Sequence, residues 1–192
     1  MSIPSSFSPN HPEKSVEKPA GFRPATYVVD TNVILVANGQ HPGVTTACVT
    51  ACQQWLTWVM AEGRIALDSD FAIVREYQHK THASDGQGLG DAFLRWVLHH
   101  LDDSARCDLV PLVLDEARGY TAFPPDAHLA AFDRSDRKFV AVARTHPERP
   151  TILQAADSKW LDWSPYLAEH EVSIRFLCSP ELHLFHRQKF GV

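Results

Sequence analysis

The chain has 192 residues, 44% of them apolar, enough for one domain with a sizeable core, and it contains no apolar run long enough to span a membrane. Its formal charge of -5 lacks the basic excess typical of nucleic-acid binders, although Arg134, Arg137, Lys138 and Arg144 form a local basic segment suited to phosphate. Four cysteines, Cys48, Cys52, Cys107 and Cys178, show no Cys-x-x-Cys pair or regular framework, and no secretion-type apolar stretch opens the chain; together these predict reduced thiols in a soluble cytoplasmic protein.

Residues 1–25 are rich in proline and serine with little apolar periodicity and read as a flexible tail; 26–180 form the expected domain and 181–192 a C-terminal tail. A strand is predicted at 27–29, followed by a long helix with Val44, Cys48, Cys52, Trp55 and Val59 on one face. Cys48 and Cys52 read as core packing. A second strand falls at 64–67, and Ser69 or Asp70 is placed to cap a helix running through Tyr77. The glycine-rich stretch "SDGQGLGD" follows a helix rather than a strand, so it reads as a mobile loop and not as a phosphate-binding turn. Then come a helix at 91–101, a strand in "LVPLV", a loop at Pro124 and Pro125, a helix at 134–144, the strand "TILQA", a helix at 159–169 and the strand "VSIRFL". Alternating strands and helices predict an α/β fold: a three-layer α/β/α sandwich around a mainly parallel sheet.

In open α/β sheets the functional crevice lies beyond the carboxyl ends of the strands. Asp30 follows the first strand there, and Asp157 ends "TILQAAD" in the same way. Glu76 lies on the next helix beside the stripe of Ile73, Val74 and Tyr77. Asp136 precedes Phe139, Val140 and Ala143 at i+3, i+4 and i+7, which puts its carboxylate on the buried face of the predicted helix. A helix N-terminus favours an acid by about 0.3–1 kcal/mol, whereas desolvating a charge costs several kcal/mol. A buried Asp136 therefore calls for a counter-ion, and a divalent cation would supply it.

The order of these acids resembles the PIN-domain nucleases, whose pattern is a "VVDTN"-like strand end followed by three further acids. The matching positions are Asp30, Glu76 in "FAIVREYQ", Asp136 in "DRKFVAVA" and Asp157 in "ILQAAD". The resemblance runs from Tyr27 to about Cys178. It departs at Ala155, where the family commonly carries Thr or Ser; Ser158 is the nearest substitute. The resemblance implies that Asp30, Glu76, Asp136 and Asp157 are catalytic metal ligands for Mg²⁺ or Mn²⁺, in line with the preference of hard ions for oxygen. It further implies metal-dependent endoribonuclease activity on RNA without a covalent enzyme intermediate. Thr31 and Asn32 would orient the first carboxylate, and Asp133, Ser158 and Asp162 would lie behind the ligands. Lys80, Arg137 and Lys138 would contact the RNA backbone. A small domain of this kind also resembles the toxins of toxin–antitoxin pairs, which implies a small antitoxin-like inhibitor protein and a homodimer.

Plainer roles stand beside these. Asp30 is placed to cap the helix beginning near Asn32, Glu76 has the character of a solvated helix acid, and Asp133 reads first as an N-cap with Asp136 near the third helical position. His79 with His82, and His183 with His186, have helical metal-pair spacing but no matched framework, so surface roles are favoured. Trp160 and Trp163 read as core before base-stacking platforms. A catalytically silent PIN-like binding module, favoured by Ala155, is the main alternative function. A metal-dependent phosphatase fits less well, because "DTN" has no second acid two residues after Asp30.

Overall fold

The computed structural model describes residues 25–81 and 86–190, without the side chains of 180–182 and 188–190. The expected tail, apart from Ala25, and His82 lie outside the described residues. The chain runs β1 (Thr26–Val29), α1 (Thr31–Ala37), α2 (Thr46–Glu62), β2 (Arg64–Asp68), α3 (Ala72–Lys80) and α4 (Leu89–His99). It continues through β3 (Cys107–Val110), β4 (Leu114–Asp115), β5 (Gly119–Tyr120), a 3-10 turn (Ala127–Leu129) and α5 (Arg137–Thr145). It closes with β6 (Thr151–Gln154), α6 (Lys159–Glu169), β7 (Ile174–Phe176) and α7 (Ser179–Phe190). The five-stranded sheet has the order β3-β2-β1-β6-β7, all neighbours parallel, and helices flank it in a three-layer α/β/α sandwich. β4 and β5 form a separate antiparallel hairpin.

The strand order places the functional crevice. From the central β1 the chain moves to β2 and β3 on one side, then returns to β6 and β7 on the other, so the order reverses between β1 and β6. At that switch point successive connections diverge and leave a gap at the carboxyl ends of two adjacent strands. The two strands are in register through Val28 with Ile152 and Val29 with Leu153. The residues leaving them are Asp30 and, three positions beyond Gln154, Asp157.

Both faces of the central strands are covered, and Val28, Val29, Ile65, Leu67, Ile152 and Leu153 are completely buried. On α5 the run Phe139 to Ala143 is buried where the helix crosses β1, β2 and β6. Of the glycine-rich segment, 84 and 85 lie outside the described residues; in the remainder Gly88 N–H donates to Asp91, and Asn38 Oδ1 accepts from Gly90 N–H at 2.7 Å, pinning the start of α4 to the end of α1. A Cβ at Gly90 would stand 2.4 Å from the Ile34 carbonyl oxygen, so glycine lets these two helices touch. Pro165 lies inside α6 and cannot donate to the Leu161 carbonyl; the Ser164 hydroxyl does so instead, at 3.0 Å.

Several sequence expectations change. The strand in "LVPLV" stops at Val110, because Pro111 has no N–H to continue the ladder. Neither Ser69 nor Asp70 caps α3. Asp68, at the end of β2, reaches over with both oxygens to accept from Ala72 N–H at 2.6 Å and Ile73 N–H at 2.8 Å. Asp68→Ala is expected to lower stability by about 1–2 kcal/mol, or roughly 2–8 °C in Tm, in a thermal melt; an unchanged Tm would show that the cap is dispensable. The stretch read as a C-terminal tail contains most of α7. Among the described residues no helix is long and apolar enough to cross a membrane.

The expectation of four reduced thiols is overturned for two of them. Cys48 on α2 and Cys178, between β7 and α7, are joined by a disulfide with Cα atoms 5.0 Å apart. The two are 130 positions apart in the chain, so only the folded sheet brings them together and no local spacing announces the pair. Cys52 is fully buried in the core, as expected of the face of α2, and Cys107 is buried on β3.

Candidate functional site

Asp30 leaves β1 in extended conformation and is 5% exposed. Its N–H donates to the Leu153 carbonyl at 3.0 Å, prolonging the ladder with β6, and its Oδ1 accepts from Asn32 N–H at 2.8 Å. Asp30 is thus the N-cap of α1, as its plainer reading anticipated, and stands at the switch point as well. The Asn32 side chain bridges the crevice, its Oδ1 accepting from Ala156 N–H at 2.8 Å. This bond ties the turn after β1 to the turn after β6 and holds Asp30 near Asp157. Behind them the fully buried Tyr77 hydroxyl donates to the Val29 carbonyl, anchoring α3 to the end of β1.

Glu76 projects from α3 toward this point, where both its oxygens are engaged. Oε1 accepts from the Thr31 hydroxyl at 2.6 Å, and Oε2 accepts from the Lys138 ammonium. Glu76 is therefore not the solvated helix acid of the plainer reading, and Thr31 orients Glu76 while the backbone N–H of Asn32 orients Asp30.

Asp136 requires a correction. α5 begins at Arg137, and Asp136 is its N-cap residue rather than a member of a buried helical face; its side chain is half-buried. Asp133 does not cap the helix: its carbonyl accepts from Asp136 N–H in the preceding turn. The helical phase nevertheless reaches back to Asp136, because its dihedrals of -92° and -12° are right-handed. The Ser135 hydroxyl lies 3.2 Å from Asp133 Oδ1 and 3.1 Å from Asp136 Oδ1, linking two acids that would otherwise repel. Asp157, half-buried, accepts from Lys159 N–H at 3.1 Å.

Electrostatics tie the four acids together. Burial pushes the Asp30 carboxyl well above its ordinary range, and the carboxylates of Asp136, Glu76 and Asp157 push it further against the bond from Asn32. Burial likewise raises Asp136 to about 6, with Asp133 and Asp157 adding to the rise and Ser135 and Lys138 opposing it. The Asp157 carboxylate is the main cause of the raised Lys159 ammonium, which also reaches Asp133 at 3.4 Å. The acids repel one another through a shared region without closing into a tight cage. Among the described residues, the only three His, Cys, Asp or Glu side chains with ligand atoms all within 4.8 Å are Cys48, Cys52 and Cys178.

No family model, curated protein or solved structure matches the chain. The likeness to PIN-domain nucleases thus rests on the residues themselves.

The expected substrate contacts fare unevenly. Arg137 is buried: its guanidinium donates to the carbonyls of Phe132, Arg118 and Ala130 and lies over the Phe123 ring, 4.6 Å from its centre. It stitches the 118–132 segment to α5 and, 5% exposed, is turned into the fold rather than toward a phosphate backbone. Lys138 is also buried, donating to Glu76 and to the Ser135 carbonyl. Lys80 is exposed in the last turn of α3. Asp162 pairs with His186 of α7 at 2.6 Å, while Ser158 is buried at the start of α6 without a side-chain capping bond. Trp160 and Trp163 both pack on Phe132, with ring centres 5.0 and 4.8 Å away; Trp160 is fully buried in the core, whereas Trp163 is partly buried against it. Sequence reasoning misses Ser135, which lies between the carboxylates of Asp133 and Asp136. Its position between Asp133 and Asp136 was the available signal.

Proposed function

We propose that the chain is a divalent-metal-dependent endoribonuclease, with Asp30, Glu76, Asp136 and Asp157 as its acidic centre. The observation that carries this reading is the convergence of four carboxylates from four elements on the β1/β6 switch point, where burial first, and then the charges of Asp136, Glu76 and Asp157, raise the proton affinity of Asp30. An all-oxygen donor set under mutual repulsion suits a hard cation such as Mg²⁺ or Mn²⁺. When bound, such an ion would activate water and offset charge building on a phosphodiester. The protein's own contribution is to hold the acids in place: Asn32 fixes the turn beside Asp30, Thr31 orients Glu76, and Ser135 holds Asp136 beside Asp133. RNA as substrate, a small inhibitory partner and a homodimer belong to the same proposal and follow from the resemblance. Incubating the purified chain with single-stranded RNA, structured RNA and DNA, each with Mg²⁺, Mn²⁺ or EDTA, tests it. Cleavage of RNA that EDTA abolishes is the expected result, and no cleavage under any condition would refute it.

A second reading, a catalytically silent binding module, draws on Lys138. Its ammonium already neutralises Glu76 from inside the fold, a task that a metal would share. Lys138→Met separates the readings. Removing one partner of a buried pair leaves the other uncompensated, and with Glu76 partly exposed the cost is about 2 kcal/mol, or roughly 4–8 °C in Tm without metal. If the acids bind metal, Mg²⁺ or Mn²⁺ should restore more stability to Lys138→Met than to the wild type. An equal, null metal response in both proteins favours the silent module.

A further inference from the structure

A different cluster lies in the core beneath α2. Cys48 and Cys52 are four residues apart, so they stand one above the other on the buried face of the helix, and Cys178 meets them from the connection between β7 and α7. Cys178 is bonded to Cys48, and its sulfur lies 3.8 Å from that of Cys52. All three sulfurs fall within 4.8 Å of one another, and each residue is at most 2% exposed. A staple between α2 and the start of α7 needs two cysteines. Cys52 adds a second sulfur on the same helix face within reach of the same partner.

We propose that Cys48, Cys52 and Cys178 form a thiol–disulfide exchange site, in which Cys178 bonds alternately to Cys48 and to Cys52. The Cys52 thiol gives up its proton and the resulting thiolate attacks the Cys178 sulfur. A bond forms between Cys52 and Cys178, the bond between Cys178 and Cys48 breaks, and Cys48 leaves as a thiolate that takes up a proton. One disulfide and one thiol are present before and after, so no outside oxidant or reductant is consumed. Attack must come along the axis of the disulfide, so the Cys178 side chain, in the link between β7 and α7, has to swing as it is attacked. Burial of all three sulfurs keeps outside thiols away, and because the attacking species is a thiolate the exchange is faster as pH rises. The consequence is mechanical: the anchor of α7 passes from one turn of α2 to the next.

The full-length protein tests this directly. After incubation at mildly alkaline pH and an acid quench, thiols are blocked with one alkylating reagent, disulfides reduced, and the released thiols labelled with a second. Fragmentation mass spectrometry between Cys48 and Cys52 then assigns each label. Cys48 and Cys52 should each carry both labels, Cys178 only the second, and Cys107, whose thiol burial pushes up to about 12, only the first. Cys48→Ala, exposed to an oxidised dithiol, should close Cys52 to Cys178 and lose both first-label signals. Exclusive second label on Cys48 with exclusive first label on Cys52 in the wild type would overturn the proposal, as would two persistent thiols in folded Cys48→Ala. Should that variant fail to fold, the wild-type label distribution decides alone.

Discussion

Asp30→Asn is expected to abolish metal-dependent cleavage of RNA, by roughly 1,000-fold or more, while leaving the fold intact. A ligand that helps hold the cation contributes several kcal/mol to the barrier, and about 4 kcal/mol corresponds to that factor. The metal-free variant should be at least as stable as the wild type. Asp30 is 5% exposed beside three other acids, and burial first, then their charges, favours its neutral form. Asparagine is neutral and nearly isosteric, and its oxygen can still accept from Asn32 N–H to keep the cap of α1. An aspartate serving only as a cap would leave both activity and stability little changed, so activity is the readout that separates the two roles. Near wild-type turnover by purified Asp30→Asn, with circular dichroism confirming the fold, would remove Asp30 from the ligand set and with it the centre of the proposed site.

The parts of this fold written in local pattern were legible. Residues 159–169 were predicted and observed as one helix, because Trp160 and Leu167 mark a buried face and Ser164 compensates for Pro165. The strands around Val28, Ile65 and Ile152 read as short apolar runs because a parallel sheet buries both of their faces. Asp30 and Asp157 read as following strands because each comes after a short apolar run, whereas the reversal of strand order between β1 and β6 that brings those two strand ends side by side is visible only in the folded sheet. What failed depended on side-chain reach. Arg137 and Lys138 carry charges that read as phosphate contacts, yet their long stems carry those charges inward, to the Phe132 carbonyl and to Glu76. Asp68 took the capping role assigned to Ser69 or Asp70 because the strand ends one turn before the helix and its side chain spans the gap. The bond between Cys48 and Cys178 was invisible for a different reason, as two distant positions share no periodicity.

Asp136→Asn should separate metal binding from structure through its pH dependence. In the folded protein burial lifts this carboxyl from its ordinary 3.8 to about 6. Between those values the folded state holds a proton that the unfolded state has released, so this group's contribution to stability falls as pH rises from 3.8 to about 6. Replacing it with Asn removes that loss, and the metal-free variant should match the wild type at the acidic end and exceed it above about 6, by roughly 2–4 °C in Tm per kcal/mol recovered. The cation response runs the other way. Mg²⁺ or Mn²⁺ competes with protons for the same oxygens, so the metal-induced rise in Tm of the wild type should grow through this window and level off above it. In Asp136→Asn that rise should be smaller wherever the wild-type carboxyl is ionised, most of all above about 6, because one charged oxygen donor is gone. Thermal melts with and without metal across this range read both effects at once. A variant that loses stability without metal while keeping the full metal response would instead make Asp136 a structural partner of Ser135, and the cation would have to be held by the other acids alone.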